Sequence, residues 1–189
     1  MVKYHKMNEQ VVLVDNSNRA IGTADKYQVH TGNTPLHRGF SLFIFNARGE
    51  LLLQQRSPKK IAWPNIWSNS VCGHPAKDES AKAAAKRRAL YELGIELKTA
   101  NINMVIENFR YRYQHQGIVE NEICPVMVAH YNSELQLRPN PAEVSDYKWV
   151  AWQDFLDQLT KPNSYTEWCQ EEALLLASSE SFNKFLLAK

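Results

Sequence analysis

Cysteine is scarce in this chain of 189 residues: Cys72, Cys124 and Cys169 are all it has. So few, in odd number, make no disulfide framework. No CxxC pair occurs, which excludes a zinc ribbon and a thioredoxin-like motif. An excess of one charge is also lacking. Lys and Arg total 22 against 20 Asp and Glu, a net charge of +2, whereas a bulk nucleic-acid binder carries a strong basic excess. No run approaches the ~18 apolar residues of a membrane-spanning helix. The N-terminal stretch MVKYHKMNEQ has no apolar signal region. Repeats, low-complexity segments and linkers are absent too. The simplest expectation is a cytoplasmic globular protein with no nucleic-acid and no membrane partner. The length favours one domain, residues 1–189, with extensions, large enough to bury a core without staples.

Apolar runs mark strands at Val11–Val14, Phe40–Phe45 and Leu51–Gln55. The spacer Asn46–Gly49 predicts a hairpin between the last two. Residues 56–70, with Pro58 and Pro64, form a loop. The clearest helix runs from about Glu79 to Leu93, with Asp78 as its N-cap. Its apolar stripe is Ala81, Ala84, Ala85, Ala89, Leu90 and Leu93, and Gly94 is its stop signal. Further strands are expected near Met104–Tyr113, Ile118–Tyr131 and Tyr147–Ala151, and helices at 152–159, 167–177 and 180–187. Strands with interspersed helices imply an α+β fold in which helices pack on a mixed sheet.

Two groups of residues point to chemistry. His30, His37 and His74 sit in break-rich segments, where loops can bend them toward one point. In Ile118–Cys124 the strand period places Glu120 and Glu122 on one face. Adjacent like charges repel unless water or a cation compensates them. The plain alternative is a solvated polar edge. Together, three imidazoles and two carboxylates suit a six-coordinate divalent ion, Mn²⁺ or Mg²⁺ ahead of Zn²⁺.

The segment from Gly73 resembles the Nudix box, a loop–helix–loop signature. Glu79, Arg87, Glu92 and Gly94 match it. Arg88 and Tyr91 depart from it by standing where the box has carboxylates. The same stretch also reads as an ordinary basic amphipathic helix. The resemblance implies a Nudix-like α/β/α sandwich with an N-terminal segment to about residue 38 and C-terminal helices from about 152. The two departures remove equipment that diphosphate hydrolysis needs.

A second resemblance covers most of the chain, from about residue 10 through Trp168. Ser70–Pro75 (SVCGHP), Phe109–Arg112 (FRYR) and Gly117–Glu122 (GIVENE) are similar to signature segments of the type I isopentenyl-diphosphate isomerases. So are Asp25-Lys26-Tyr27 with His30-Thr31, Leu36-His37 and Ala62-Trp63-Pro64. The resemblance implies interconversion of isopentenyl and dimethylallyl diphosphate, an intramolecular proton shift in isoprenoid biosynthesis. It implies Cys72 and Glu122 as the acid/base pair, Tyr111 as the residue that orients Glu122, and Trp168 as an aromatic face for a carbocation. It assigns His30, His37, His74, Glu120 and Glu122 to a first metal, Mn²⁺ or Mg²⁺. Glu92 and the Cys72 backbone carbonyl go to a Mg²⁺ that binds with the diphosphate. Lys26, Arg56 and Lys60 are its basic substrate-binding positions. Trp63, Trp67, Phe40 and Tyr111 are candidates for the wall of a dry pocket. The expected assembly is a monomer or homodimer. A Nudix pyrophosphohydrolase and a non-enzymatic nucleotide- or RNA-binding module are the alternatives.

Overall fold

The computed structural model describes residues 10–131, 136–159 and 164–188. Strands β1 (Gln10–Val14) and β2 (Ala20–Asp25) form an antiparallel pair. Asp25 caps the short helix α1 (Lys26–Val29) by accepting the N–H groups of Tyr27 and Gln28. The two-residue strand β3 (His37–Arg38) leads into β4 (Phe40–Phe45), and the Asn46–Gly49 turn returns the chain into β5 (Glu50–Arg56). Gly49 sits at φ 77°, a conformation open to glycine at little cost. Then come β6 (Trp67–Ser68), β7 (Val71–Gly73), α2 (Ala81–Leu93), a 3₁₀ turn at Thr99–Asn101, β8 (Ile102–Ile106), β9 (Arg110–His115), β10 (Ile118–Ile123) and β11 (Val126–His130). β12 (Val144–Ala151), α3 (Trp152–Gln158), α4 (Glu167–Ala177) and α5 (Glu180–Leu187) complete the order.

The strands make two sheets. One runs β2-β1-β3-β10-β9, and the other runs β12-β5-β4-β11-β8 with β6 on β5 and β7 on β4. Two segments belong to both. β3 pairs in parallel with β10 (His37 with Glu122), and β4 pairs in parallel with β11 (Ser41 with Val126). The register is the same on either side of the crossing. Gly39 N–H to the Ile123 carbonyl and Ser41 N–H to the Pro125 carbonyl (3.0 Å each) carry the pairing across it. Side-chain alternation then builds the layers. Phe40, Leu42 and Ile44 pack with Ala84, Ala85, Ala89 and Leu93 of α2. Phe43 and Phe45 pack on the other face with Phe155, Ala173, Leu176 and Phe182 of α3, α4 and α5. Helices thus cover both faces of the second sheet.

Several sequence expectations change. The run Met104–Tyr113 is two strands, broken by a bend at Glu107 and Asn108. The run Ile118–Tyr131 is also two strands, parted where Pro125 has no N–H to give a ladder. Helix α2 starts at Ala81, and its N-cap is Ser80, whose hydroxyl accepts from Ala83 N–H (3.2 Å). Asp78 sits at φ 64°, outside the extended conformation an N-cap adopts. Leu90 is half exposed rather than part of the stripe, while Arg88 and Glu92 on α2 are buried. Among the described residues, no helix is long and apolar enough to cross a membrane.

Candidate active site

The three histidines converge. Their ring centroids lie 5.0–5.3 Å apart, and one donor atom from each falls with a Glu120 oxygen inside a group in which all lie within 4.8 Å of one another. His30 follows α1 and turns its Nδ1 to the Lys26 carbonyl (2.6 Å). His37 opens β3 and turns its Nδ1 to the Pro35 carbonyl (2.9 Å). A carbonyl only accepts, so each Nδ1 carries the proton and each Nε2 keeps a lone pair. Glu120 and Glu122 project from the same face of β10. His30 Nε2 is 3.1 Å from Glu120 Oε2, and Glu122 Oε1 is 2.9 Å from His74 Nε2 and 3.3 Å from His37 Nε2. Tyr111, opposite Glu122 in the β9–β10 register, donates its hydroxyl to Glu122 Oε2 (2.9 Å).

Charge in this cluster is finely opposed. Burial resists ionisation of Glu122, but the adjacent His37 and His74 imidazoles hold its carboxyl well below the usual range. Burial pushes the His74 imidazole down to about 4. Burial also works against a charge on His37, yet Glu122 and Glu120 raise it overall. His30 Nε2, His37 Nε2, His74 Nδ1 and Glu120 Oε2 are buried with no hydrogen-bond partner. Buried polar atoms left unpartnered in this way are costly. Three imidazole nitrogens and a Glu120 oxygen gathered at one point fit a divalent cation; Glu122, expected as a fifth ligand, lies outside that group and sits against His37 and His74.

A cavity of about 430 Å³ opens beside the cluster, lined by His30, His74, Glu120 and Glu122 together with Cys72, Tyr111 and Trp168. Lys26, Arg56 and Lys60 line it too, with Lys59 and Glu143 alongside. Cys72 comes from β7 in the second sheet and Glu122 from β10 in the first. Arg56 donates two of its nitrogens to the carbonyls of Ala62 and Trp63 and a third to Cys72 Sγ (3.3 Å). Burial pushes the Cys72 thiol up, against the pull of Arg56. Trp168 is almost wholly buried, stacked on Tyr111 (5.6 Å between centroids), with the Arg56 guanidinium 5.5 Å from its ring. Of the four candidate wall residues, only Tyr111 lines the cavity; Trp63 packs against Trp168 behind it, and Phe40 belongs to the core under α2. Trp67 lies outside the cavity, with Lys148 Nζ 4.3 Å from its ring centroid.

Glu92 lies apart from this lining. It is fully buried and accepts from Arg88 Nε (2.9 Å) and Gln54 Nε2 (3.0 Å). The Glu79–Arg87 pair has a structural part: Arg87 holds Glu79 with two nitrogens and donates to the His74 carbonyl (3.2 Å), while Glu79 accepts from Ala76 N–H. Together they fix the loop that carries His74. Sequence reasoning missed Gly39 and Glu143. A Cβ at Gly39 would fall on the Glu122 carboxylate. Glu143 enters from the loop before β12, with nothing in its local sequence to single it out. Glu172 of α4 was missed as well. It is fully buried, and its Oε1 accepts from Cys124 Sγ (3.7 Å).

The NUDIX domain model matches residues 35–171. An isopentenyl-diphosphate Delta-isomerase of Citrobacter koseri is 46% identical over 162 residues, 85% of this chain and 87% of its own length. Another, from Paenarthrobacter aurescens, is 46% identical over 162 residues, covering 85% of this chain and 86% of its own. A solved structure from Deinococcus radiodurans superposes with a TM-score of 0.68 at 20% identity, spanning 88% of this chain and 98% of that one, a likeness of fold alone. By the domain model and by relatives this similar over most of their length, the chain belongs to the isopentenyl-diphosphate Delta-isomerases of the NUDIX fold.

Proposed function

We infer that the chain interconverts isopentenyl diphosphate and dimethylallyl diphosphate, the activity of its family. One observation carries the mechanistic reading: a single cavity is lined by proton-exchanging, aromatic and cationic side chains together. In the reaction a proton adds to the terminal alkene carbon and leaves a tertiary cation. A proton then departs from the carbon between that centre and the CH₂–O group, and the double bond ends one position along. Acid and base must address different faces of the substrate. Cys72 and Glu122 reach the cavity from different sheets, which suits that division. Tyr111 orients Glu122 through its hydroxyl. Trp168 offers a ring that already faces a guanidinium, and a desolvated cation over such a ring gains ~2 kcal/mol or more. Ile61, Ala62, Tyr91 and Tyr111 help keep water from the cation.

His30, His37, His74, Glu120 and Glu122 would hold the first ion, with Mn²⁺ or Mg²⁺ preferred over Zn²⁺. When bound, it supplies the charge that two adjacent carboxylates need and polarises a proton carried by Glu122. Lys26, Arg56 and Lys60 hold the diphosphate, Arg56 by its planar fork and the lysines as point charges. Glu92 and the Cys72 carbonyl are the proposed holders of a Mg²⁺ that enters with the diphosphate, Glu92 by giving up part of its pairing with Arg88. The pyrophosphohydrolase alternative lacks carboxylates where Arg88 and Tyr91 stand. We place the enzyme in the cytoplasm as one domain over 1–189, a monomer or homodimer without a nucleic-acid partner.

The test is incubation of purified protein with isopentenyl diphosphate and Mg²⁺, followed by carbon and phosphorus NMR. Dimethylallyl diphosphate with its diphosphate intact is the expected product. Released phosphate without isomerisation would mark a hydrolase.

A further inference from the structure

The cationic side of the cavity contains an acid that the reaction does not call for. Glu143 lines the cavity beside Lys26, Lys59 and Lys60. A single oxygen of its carboxylate, Oε2, receives both Lys60 Nζ and Arg88 NH2, the latter at 3.0 Å. Lys60 and Arg88 are themselves largely buried, so these are contacts within the protein rather than surface pairs. The opposing acid on Arg88 and Lys60 is Glu92, with Lys60 3.8 Å from its Oε1. Burial works to protonate Glu143, but Lys60, Arg88 and Lys26 together hold its carboxyl down to about 2, so it is anionic at any working pH. The Glu143 backbone is fixed independently: its N–H donates to the Asn140 carbonyl, and its own carbonyl accepts from Ser57.

A diphosphate seeks the same donors. It gains Lys60 at full strength only where Glu143 gives it up, because the charge of an ammonium held on a buried carboxylate is already largely compensated. We propose that Glu143 is a built-in placeholder for the substrate's diphosphate: it seats Lys60 and Arg88 in the free enzyme, must yield Lys60 on binding, and so sets substrate affinity. Such an acid keeps the cationic wall ordered and neutralised until an anion of higher charge displaces it. The cost appears in binding and not in the proton transfers, which occur at Cys72 and Glu122.

This inference rests on the isomerase reading only for its substrate; its first test uses inorganic pyrophosphate with Mg²⁺. Titration calorimetry on Glu143→Gln, which keeps size and backbone contacts and removes the charge, should give pyrophosphate binding about tenfold tighter than wild type, the equivalent of one ion-pair competition. The KM for isopentenyl diphosphate should fall with it while kcat does not rise. In a Lys60→Met background the same change should gain no more than about twofold, since the contested donor is gone. If Glu143→Gln does not fold, Glu143→Ala carries the test, because it also removes the competing charge; tighter pyrophosphate binding is expected again. Unchanged or weaker binding in a folded variant would overturn the placeholder and leave Glu143 a support for Lys60. Wild-type protein that binds pyrophosphate but does not isomerise would overturn the isomerase reading and leave the placeholder standing.

Discussion

Gly39 and Glu122 occupy one space: a Cβ built on Gly39 falls 1.8 Å from Glu122 Oε2 and 2.4 Å from its carboxyl carbon. Gly39 lies where the chain passes from β3 to β4, and its N–H is held to the Ile123 carbonyl, so withdrawing the backbone would break the pairing there. Gly39→Ala therefore pushes the Glu122 carboxylate off Tyr111 and His74. A displacement of ~1 Å at a reacting group costs about 100-fold in rate. Turnover should fall by that order, and metal content, read by mass spectrometry, should fall with it. Normal activity in this variant would show that Glu122 has freedom the packing denies it.

Cys72→Ala should fold, keep metal and bind the diphosphate, because the thiol's one hydrogen bond among the described residues is from Arg56, which two backbone carbonyls hold in place. Loss of a positioned proton-exchanging group costs about 10²–10⁴-fold. Product formation by NMR, with calorimetric binding on the same sample, separates the two effects. A thiol-directed alkylator should inactivate the wild type, with protection by substrate; modification confined to Cys169 would contradict the assignment.

Stripping the protein with a chelator should abolish turnover, and Mn²⁺ or Mg²⁺ should restore it. The ion binds only folded chain, since its donors converge through tertiary structure. At 100 times the dissociation constant it adds about 2.7 kcal/mol to stability. A thermal melt that metal does not move would count against the His30, His37, His74 and Glu120 group as a site.

Glu172 predicts an unusual pH dependence of stability. Burial keeps its carboxyl protonated well above the usual range, while in the unfolded chain it ionises near ~4.3. A folded-state value raised in this way favours the native state most at low pH. Above ~4.3 the unfolded state alone gains from ionisation, and stability falls by up to about 1.4 kcal/mol per pH unit until the folded group also titrates. Glu172→Gln removes that loss. Urea unfolding should find the variant close to wild type at pH 4 and more stable by over ~1 kcal/mol at pH 7. A difference that does not grow with pH would refute it.

Arg88→Met should destabilise strongly. Arg88 and Glu92 are buried partners on successive turns of α2, and removing one leaves the other's charge uncompensated, at about 3–5 kcal/mol. Chemical denaturation measures it; a change below ~1 kcal/mol would mean Lys60 and Gln54 suffice for Glu92.

The sequence discloses what local periodicity controls. The helices at 167–177 and 180–187 and the strand Phe40–Phe45 stand at the residues expected, because each is one continuous pattern, the strand apolar throughout since it is buried on both faces. Glu120 and Glu122 share a face for the same reason. The pairs β3 and β6 and the three-residue β7 have no period to read; they exist because a neighbouring strand offers hydrogen bonds. The break at Pro125 was written in the sequence, yet strand propensity on either side masks it. Gly39 and Glu143 act on residues far away along the chain, Glu122 and Lys60, and no local pattern announces such an encounter.

The parallel pairing of His37 with Glu122 also orders events during synthesis. The His/Glu group that could hold a metal draws on the beginning of the chain and on a strand made only after α2 and most of the second sheet's strands have left the ribosome. Histidines at 30 and 37 have no carboxylate to converge with until β10 emerges and lies down beside β3. Metal capture by this group would therefore be a late step, reporting that both halves of the chain have met in register. A truncated or misregistered product would lack the means to hold such an ion, and would not pass as a working enzyme.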